Sequence, residues 1–158
     1  MRKYSLFFLG MAVSFCFGFA FKSATTSNVS DNTQAKVTGI GGVFFKCKDP
    51  KQLKEWYKLH LNMDVTPYGA NFEWNSLELP GKKGSTAWSP FNEKTKYFEP
   101  STKEFMINYR VVGLKSLYSK LQAEGVQILD TISGDQYGLF LHVMDPEGNK
   151  IELWEDLN

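Results

Sequence analysis

The stretch Asp145–Glu155 reads DPEGNKIELWE, a turn that leads directly into a strand. Pro146 fixes the backbone angle that a type I turn needs at its second position, and Gly148 supplies a positive φ. Asp145 can accept backbone N–H groups inside the same turn, so we expect its role to be structural. The following residues, Lys150–Trp154, form a strand candidate. Together these signals predict a β-hairpin.

The turn also sets the register of that hairpin. If Met144 faces Lys150 across the turn, His142 faces Glu152 on the paired strand. Cross-strand neighbours on one face lie about 5 Å apart, so these two side chains can hydrogen-bond. A carboxylate that orients an imidazole can make a general base, and Glu152 and His142 are therefore candidate catalytic residues. Two structural interpretations stay open: a satisfied polar pair, or a Glu152 carboxylate neutralised by Arg110.

The order of elements upstream of the hairpin occurs twice, as a strand, an amphipathic helix and three strand candidates. In the first half the strands are Val37–Lys48, Asp64–Tyr68, Asn71–Leu77 and Ser85–Ser89. In the second half they are Glu104–Val112, Val126–Thr131, Leu139–Met144 and Lys150–Trp154. The repetition predicts an internal duplication of one β-α-β-β-β unit.

The first helix carries start and stop signals. Asp49 is a good N-cap, and Pro50 suits the first helical position. Asn62 can take the left-handed conformation that ends a helix. An apolar stripe at helical spacing lies between these signals, at Leu53, Trp56, Tyr57 and Leu61.

A long connection joins the two halves from Pro90 to Thr102 and contains Phe91, Tyr97 and Phe98. Connections of this length in a small domain often carry function. The loop either closes over a pocket or packs its aromatic side chains against the edge of the domain.

Three stretches resemble the vicinal oxygen chelate superfamily, which includes glyoxalase and bleomycin-resistance proteins. They are GIGGVFFKCKDP at 39–50, EWYKLHLNMDV at 55–65, and DPEGNKIELWE at 145–155. The resemblance covers about residues 37–156. It implies an α+β fold in which two tandem β-α-β-β-β modules form a curved mixed sheet around a shared cleft.

The same resemblance implies where a metal would be bound in this cleft. The implied ligand positions fall at Gly42, near Trp88, at Met106 and at Glu152. Only Glu152 keeps a ligating side chain, whereas a transition metal needs about three or four protein ligands. We therefore predict a metal-poor cleft and no cofactor, with a divalent metal left open.

Strand alternation then predicts the residues that fill the cleft instead. We expect them to be mostly aromatic or apolar, with an amide and a guanidinium among them. The candidate ligand-binding residues are Phe44, Trp88, Met106, Asn108, Arg110, Phe140 and Trp154. Such a surface suits a flat organic ligand. Alternatively, these side chains fill the cleft themselves and leave no pocket.

Two classes of function follow. The first is a protein that binds a small aromatic or apolar molecule without metal, similar to the bleomycin-resistance branch. The second is an enzyme, a lyase or isomerase of the glyoxalase kind, that uses Glu152 with His142, with or without a divalent metal. The expected partner is a small-molecule ligand, and a homodimer is compatible with either class. A net charge of +1 and no strong Lys/Arg cluster argue against nucleic acid as a partner.

The N-terminus is typical of an exported protein. Arg2 and Lys3 precede an apolar stretch at residues 6–21, as in a signal peptide. We predict a signal peptide or anchor over residues 1–22, a flexible linker over 23–35 and one domain over 36–158. The protein is then periplasmic or extracellular, and it contacts a membrane only if the N-terminal segment stays uncleaved.

Overall fold

In a computed structural model, the structure describes residues 34–77 and 80–157. The first half contains β1 (Lys36–Cys47), α1 (Pro50–Leu61), β2 (Ala70–Asn75) and β3 (Lys83–Asn92). The second half contains β4 (Phe105–Val112), α2 (Leu114–Ala123), β5 (Ser133–Asp135), β6 (Gly138–Met144) and β7 (Lys150–Glu155). The strands form one mixed sheet in the order β2-β3-β1-β4-β7-β6-β5. The predicted signal segment and all but the last two residues of the predicted linker lie outside the described residues.

The fold is α+β, as predicted, with two halves that meet along the central strands. β1 pairs with β4 in antiparallel fashion and β4 pairs with β7 in parallel. The first half thus forms one side of the curved sheet, as β2-β3-β1, and the second half forms the other side, as β4-β7-β6-β5. In the described residues, neither helix is long and apolar enough to cross a membrane.

The predicted limits of α1 are confirmed. The side chain of Asp49 accepts a hydrogen bond from the backbone N–H of Gln52 at 2.9 Å, and Pro50 takes the first helical position. Asn62 ends the helix in the left-handed conformation, with φ at 50°. No residue of α1 is fully buried, and its clearest inward contact is the Tyr57 ring on Trp88, with centroids 4.7 Å apart.

The last hairpin has the register that its turn predicts. Met144 pairs with Lys150, and His142 pairs with Glu152. The Asp145 carboxylate accepts the backbone N–H groups of residues 147 and 149, and Gly148 has φ at 74°. The structural role expected of Asp145 is therefore confirmed.

Two predicted strands are wrong. Asp64–Tyr68 forms only one bridge, between Thr66 and Gly69, because Pro67 has no N–H to donate and the chain turns back there. Val126–Thr131 also forms one bridge, and a short β5 follows it. The ladder stops because the Asp130 side chain, rather than a backbone carbonyl, accepts the N–H of His142 at 2.9 Å.

The buried apolar core lies between α2 and the strands of the second half. It consists of Val111, Leu114, Leu141, Val143 and Leu153. The carboxylate of Glu155 accepts the backbone N–H groups of Gly113 and Leu114. A side chain of β7 thus caps the N-terminus of α2. This cap and core hold β4, β6 and β7 together, and those three strands carry the polar residues described next.

Candidate functional site

An open cleft of about 740 Å³ lies on one face of the sheet. Its lining combines aromatic and small apolar side chains with a few polar groups. The lining residues are Gly41, Phe44, Thr66, Tyr68, Gly69, Ala70, Asn71, Ser85, Ala87, Ser89, Asn108, Gln136, Tyr137, Phe140, Glu152 and Trp154. Asn108 and Glu152 are 3% exposed and form the floor, whereas Tyr68 and Tyr137 are exposed at the rim.

The floor follows from the pairing of the central strands. Ala87 pairs with Gly42, Gly42 with Asn108, Asn108 with Glu152, and Glu152 with His142. These residues form one row across β3, β1, β4, β7 and β6. Because paired residues project their side chains to the same face of a sheet, the polar side chains of the second half lie beside the small residues Gly42 and Ala87 of the first half.

Glu152 is the centre of a buried hydrogen-bond network. Its Oε1 accepts from the Asn108 side-chain amide at 2.6 Å. Its Oε2 lies 2.9 Å from Nε2 of His142 and also accepts the hydroxyl of Tyr97. The other ring nitrogen of His142, Nδ1, lies 2.6 Å from the Asp130 carboxylate. Asp130, His142, Glu152 and Tyr97 therefore form one continuous chain of hydrogen bonds.

This network fixes the charges of the site. Burial alone would raise the pKa of Glu152, but hydrogen bonds from His142, Tyr97 and Asn108 outweigh burial and lower that pKa. Burial likewise acts to lower the pKa of His142, but its bonds to Glu152 and Asp130 raise it above the ordinary value. Burial, together with the charge of Glu152, raises the pKa of the Tyr97 hydroxyl. The geometry thus favours an imidazolium between two carboxylates and a neutral Tyr97.

We expect this pair to stabilise the fold most between about pH 4.5 and pH 6.5, the ordinary pKa values of its two groups. Because the pKa of His142 is raised in the folded state, its contribution to the free energy of unfolding is complete below pH 6.5. That contribution is lost as pH rises through the folded-state pKa of His142. Because the pKa of Glu152 is lowered in the folded state, its contribution to the free energy of unfolding is complete above pH 4.5. That contribution is lost as pH falls through the folded-state pKa of Glu152. Urea unfolding of wild type and His142→Gln between about pH 4 and pH 8 measures this difference. A difference that does not vary with pH would contradict the coupling.

Of the residues predicted to line the cleft, four of the ligand-binding set do so, together with Glu152. The four are Phe44, Asn108, Phe140 and Trp154. His142 contacts Glu152, as the hairpin register predicts, but His142 is not among the lining residues and reaches the cleft only through that carboxylate.

The prediction for Trp88 is wrong, because this side chain lies on the opposite face of the sheet. Its ring packs on Phe45 and Tyr57, with centroids 5.4 Å and 4.7 Å apart. In the β1–β3 register, Ala87 rather than Trp88 stands beside Gly42. The predicted inward and outward positions of β3 are therefore shifted by one residue from those in the structure.

Met106 and Arg110 do not line the cleft either. Met106 is fully buried beside Phe44, its partner on β1, where ring contacts between Phe44 and Phe91 cover that end of the sheet. The Arg110 guanidinium is buried, bonded to Asp156 at 3.0 Å and to the backbone carbonyl of residue 83. It lies 5.8 Å from the ring of Trp154, its partner on β7, and its charge is paired with Asp156 rather than with Glu152.

Two members of the network were missed at the sequence level. Asp130 lies in the segment that was predicted as a regular strand, and nothing in its local sequence signals that its side chain replaces a backbone acceptor. Tyr97 was recognised only as an aromatic residue of the connecting loop. Its bond to Glu152 joins residues far apart in the chain, and no local pattern predicts such a contact.

Solved structures of methylmalonyl-CoA epimerases have the same architecture. The Mycobacterium tuberculosis enzyme is 20% identical, with a TM-score of 0.52, over 77% of this chain and 90% of that one. The Streptomyces coelicolor enzyme in complex with 2-nitronate-propionyl-CoA is 15% identical, with a TM-score of 0.56, over 78% and 100%. The chain has the vicinal oxygen chelate fold. At these identities the likeness shows the fold alone.

A glyoxalase/bleomycin resistance protein/dioxygenase superfamily member from Vibrio splendidus is also similar, at 15% identity and a TM-score of 0.47, over 77% of this chain and 99% of that one. No protein-family model matches the chain, and no curated protein matches it.

The residues at the metal positions of this fold do not fit a metal. A Cβ at Gly42 would lie 2.5 Å from the ring of Phe44, which occupies the space of a ligating side chain there. Met106 is buried, and both oxygens of Glu152 already accept hydrogen bonds. His142 has both ring nitrogens held by carboxylates. Within residues 34–77 and 80–157, no three His, Cys, Asp or Glu side chains are placed to hold a metal ion.

Proposed function

We propose that this chain is an exported protein that binds a small, flat and largely apolar organic molecule in its cleft without a metal. The observation that carries the proposal is the cleft itself, about 740 Å³ with aromatic walls and a small polar floor. Clefts of this size and lining are typical of sites for small organic molecules. The charged n-region at Arg2 and Lys3 and the apolar stretch after it support export.

Three aromatic side chains give the cleft its affinity for a flat molecule. Phe44 comes from β1, Phe140 from β6 and Trp154 from β7, so both halves contribute. The Trp154 ring is held by its N–H, which donates to the Tyr137 carbonyl at 2.7 Å, and Arg110 lies against it. Rings fixed in this way offer apolar area at little cost in side-chain entropy.

An enzyme is the second candidate, because an ionised Glu152 lines the cleft and contacts His142 at 2.9 Å. We place it second for two reasons. The lowered pKa of Glu152 makes this carboxylate a weak proton acceptor. The ring nitrogens of His142 are both directed at carboxylates, so neither is available to a molecule in the cleft. Turnover of a bound molecule by the wild type, lost in Glu152→Gln, would reverse this order.

The direct test is to fill the cleft with a larger side chain and to compare the binding of 2-naphthol by the variant and the wild type. We expect the full chain to bind 2-naphthol at a ratio of one to one in calorimetric titration. Ala87 lines the cleft, so Ala87→Phe should weaken binding at least about tenfold. Ala123 is exposed on α2, so Ala123→Phe makes the same change outside the cleft and should leave binding unchanged. No binding by the wild type, or equal binding by Ala87→Phe with an unchanged circular dichroism spectrum, would overturn the proposal.

A further inference from the structure

The amide of Asn108 can point in only one direction. Its Nδ2 donates to Oε1 of Glu152 at 2.6 Å. An ionised carboxylate only accepts hydrogen bonds, so the NH₂ group of Asn108 must face Glu152 and the amide oxygen must face away from it. The lowered pKa of Glu152 keeps that carboxylate ionised.

In this orientation the amide oxygen of Asn108 has no hydrogen-bond donor among the described residues. Asn108 Oδ1 is buried, and among the described residues no protein group donates to it. It lies against Gly41, where an added Cβ would approach it to 2.1 Å. Gly41 and Asn108 both line the cleft. A buried acceptor without a partner costs free energy, which a ligand that supplies a donor would recover.

The neighbouring donors are already used. The Tyr97 hydroxyl and Nε2 of His142 are both bonded to Glu152, and Nδ1 of His142 is bonded to Asp130. A carboxylate has about four acceptor positions, and the bonds from Tyr97, His142 and Asn108 use three of them. The floor therefore presents acceptors to the cleft, whereas the side chains of Asn71, Ser85 and Gln136 higher up can donate or accept.

We infer that the ligand is a neutral planar aromatic molecule that places an N–H or O–H donor against Asn108 Oδ1. Phenols, aromatic amines and lactams belong to this class. Carboxylates and phosphates do not, because they are anions at pH 7 and would meet the ionised Glu152. The inference rests on the proposed binding function. It adds that the cleft selects neutral ligands with a hydrogen-bond donor.

Three naphthalenes that differ in one group test this selection on the wild type. These are 2-naphthol, which donates; 2-methoxynaphthalene, which only accepts; and 2-naphthoate, which is an anion. We expect 2-naphthol to bind at least about tenfold more tightly than 2-methoxynaphthalene, and 2-naphthoate to bind most weakly. In ¹⁵N NMR, 2-naphthol should move the side-chain amide signals of Asn108 more than the methoxy compound does.

Asn108→Leu then shows which group makes the selection. Leucine keeps the branched shape and removes the acceptor, so the preference for 2-naphthol over 2-methoxynaphthalene should fall to less than about twofold. If the wild type binds 2-methoxynaphthalene or 2-naphthoate as tightly as 2-naphthol, and Ala87→Phe still blocks binding, the inference is wrong and the binding function stands. If none of the three compounds binds, the proposed function itself fails. The comparison on the wild type does not depend on the variant folding.

Discussion

Glu152→Ala is expected to lower the free energy of unfolding by about 3–5 kcal/mol at about pH 5.5. The carboxylate is 3% exposed and is the shared acceptor for Tyr97, Asn108 and His142. Its removal leaves the buried amide of Asn108 and the hydroxyl of Tyr97 without their acceptor, and it leaves a charged imidazole with only the half-exposed Asp130 to balance it. Urea unfolding followed by circular dichroism measures the change.

The matched control for that variant is Glu104→Ala. Glu104 is 74% exposed and lies 3.8 Å from Lys46, so its loss should cost less than about 1 kcal/mol. Glu152→Gln is also expected to destabilise, because an amide cannot accept from all three partners and its own NH₂ would face a donor. If Glu152→Ala costs no more than Glu104→Ala, the buried network does not stabilise the fold.

The hairpin shows how far a sequence can predict a site. The DPEGN turn has one favourable geometry, so it fixes which residues of β6 and β7 pair, and the contact between His142 and Glu152 follows from counting outward. The fold was predictable for a similar reason, because helix caps and turn residues are local signals. Local chemistry thus gave the order of the elements and the centre of the site.

The face of β3 could not be predicted in this way. No tight turn links β3 to its neighbour β1, and their parallel pairing depends on the whole crossover through α1 and β2. β1 also contains register shifts near Gly39 and Gly42, which interrupt its alternation. A phase error of one residue moves every side chain to the other face, and this error is why Trp88 was misplaced.

Asp130 and Tyr97 were out of reach for a different physical reason. Both belong to irregular segments, and both contact the network through side chains rather than through the backbone. Side-chain contacts between distant segments depend on the final packing, which no periodicity encodes. The bond from Tyr97 to Glu152 and the contact of Asp130 with His142 were therefore found only in the structure.

The loop that follows β3 is anchored by a buried phenylalanine and by side-chain hydrogen bonds. Phe98 is fully buried and contacts the ring of Phe91, while its own backbone carbonyl accepts the N–H of Ser101. Tyr97, the preceding residue, donates to Glu152, and Lys150 donates to the Tyr97 carbonyl. Of the two roles open at the sequence level, the structure thus shows the aromatic side chains packed against the domain, with Tyr97 reaching the floor of the site.

Phe98→Ala is therefore expected to lower the free energy of unfolding by about 3–5 kcal/mol, since it removes a fully buried aromatic side chain. Phe105→Ala removes the same group where it is 42% exposed and should cost clearly less. Because Phe98 holds Tyr97 in place, its loss should also raise the pKa of Glu152 in a carboxyl ¹³C titration, in the same direction as Tyr97→Phe. A Phe98→Ala protein that loses stability but keeps the Glu152 pKa of the wild type would mean that Tyr97 is positioned independently of this anchor. A rise in both variants would make the loop part of the site, because it would then set the charge of the floor that a ligand meets.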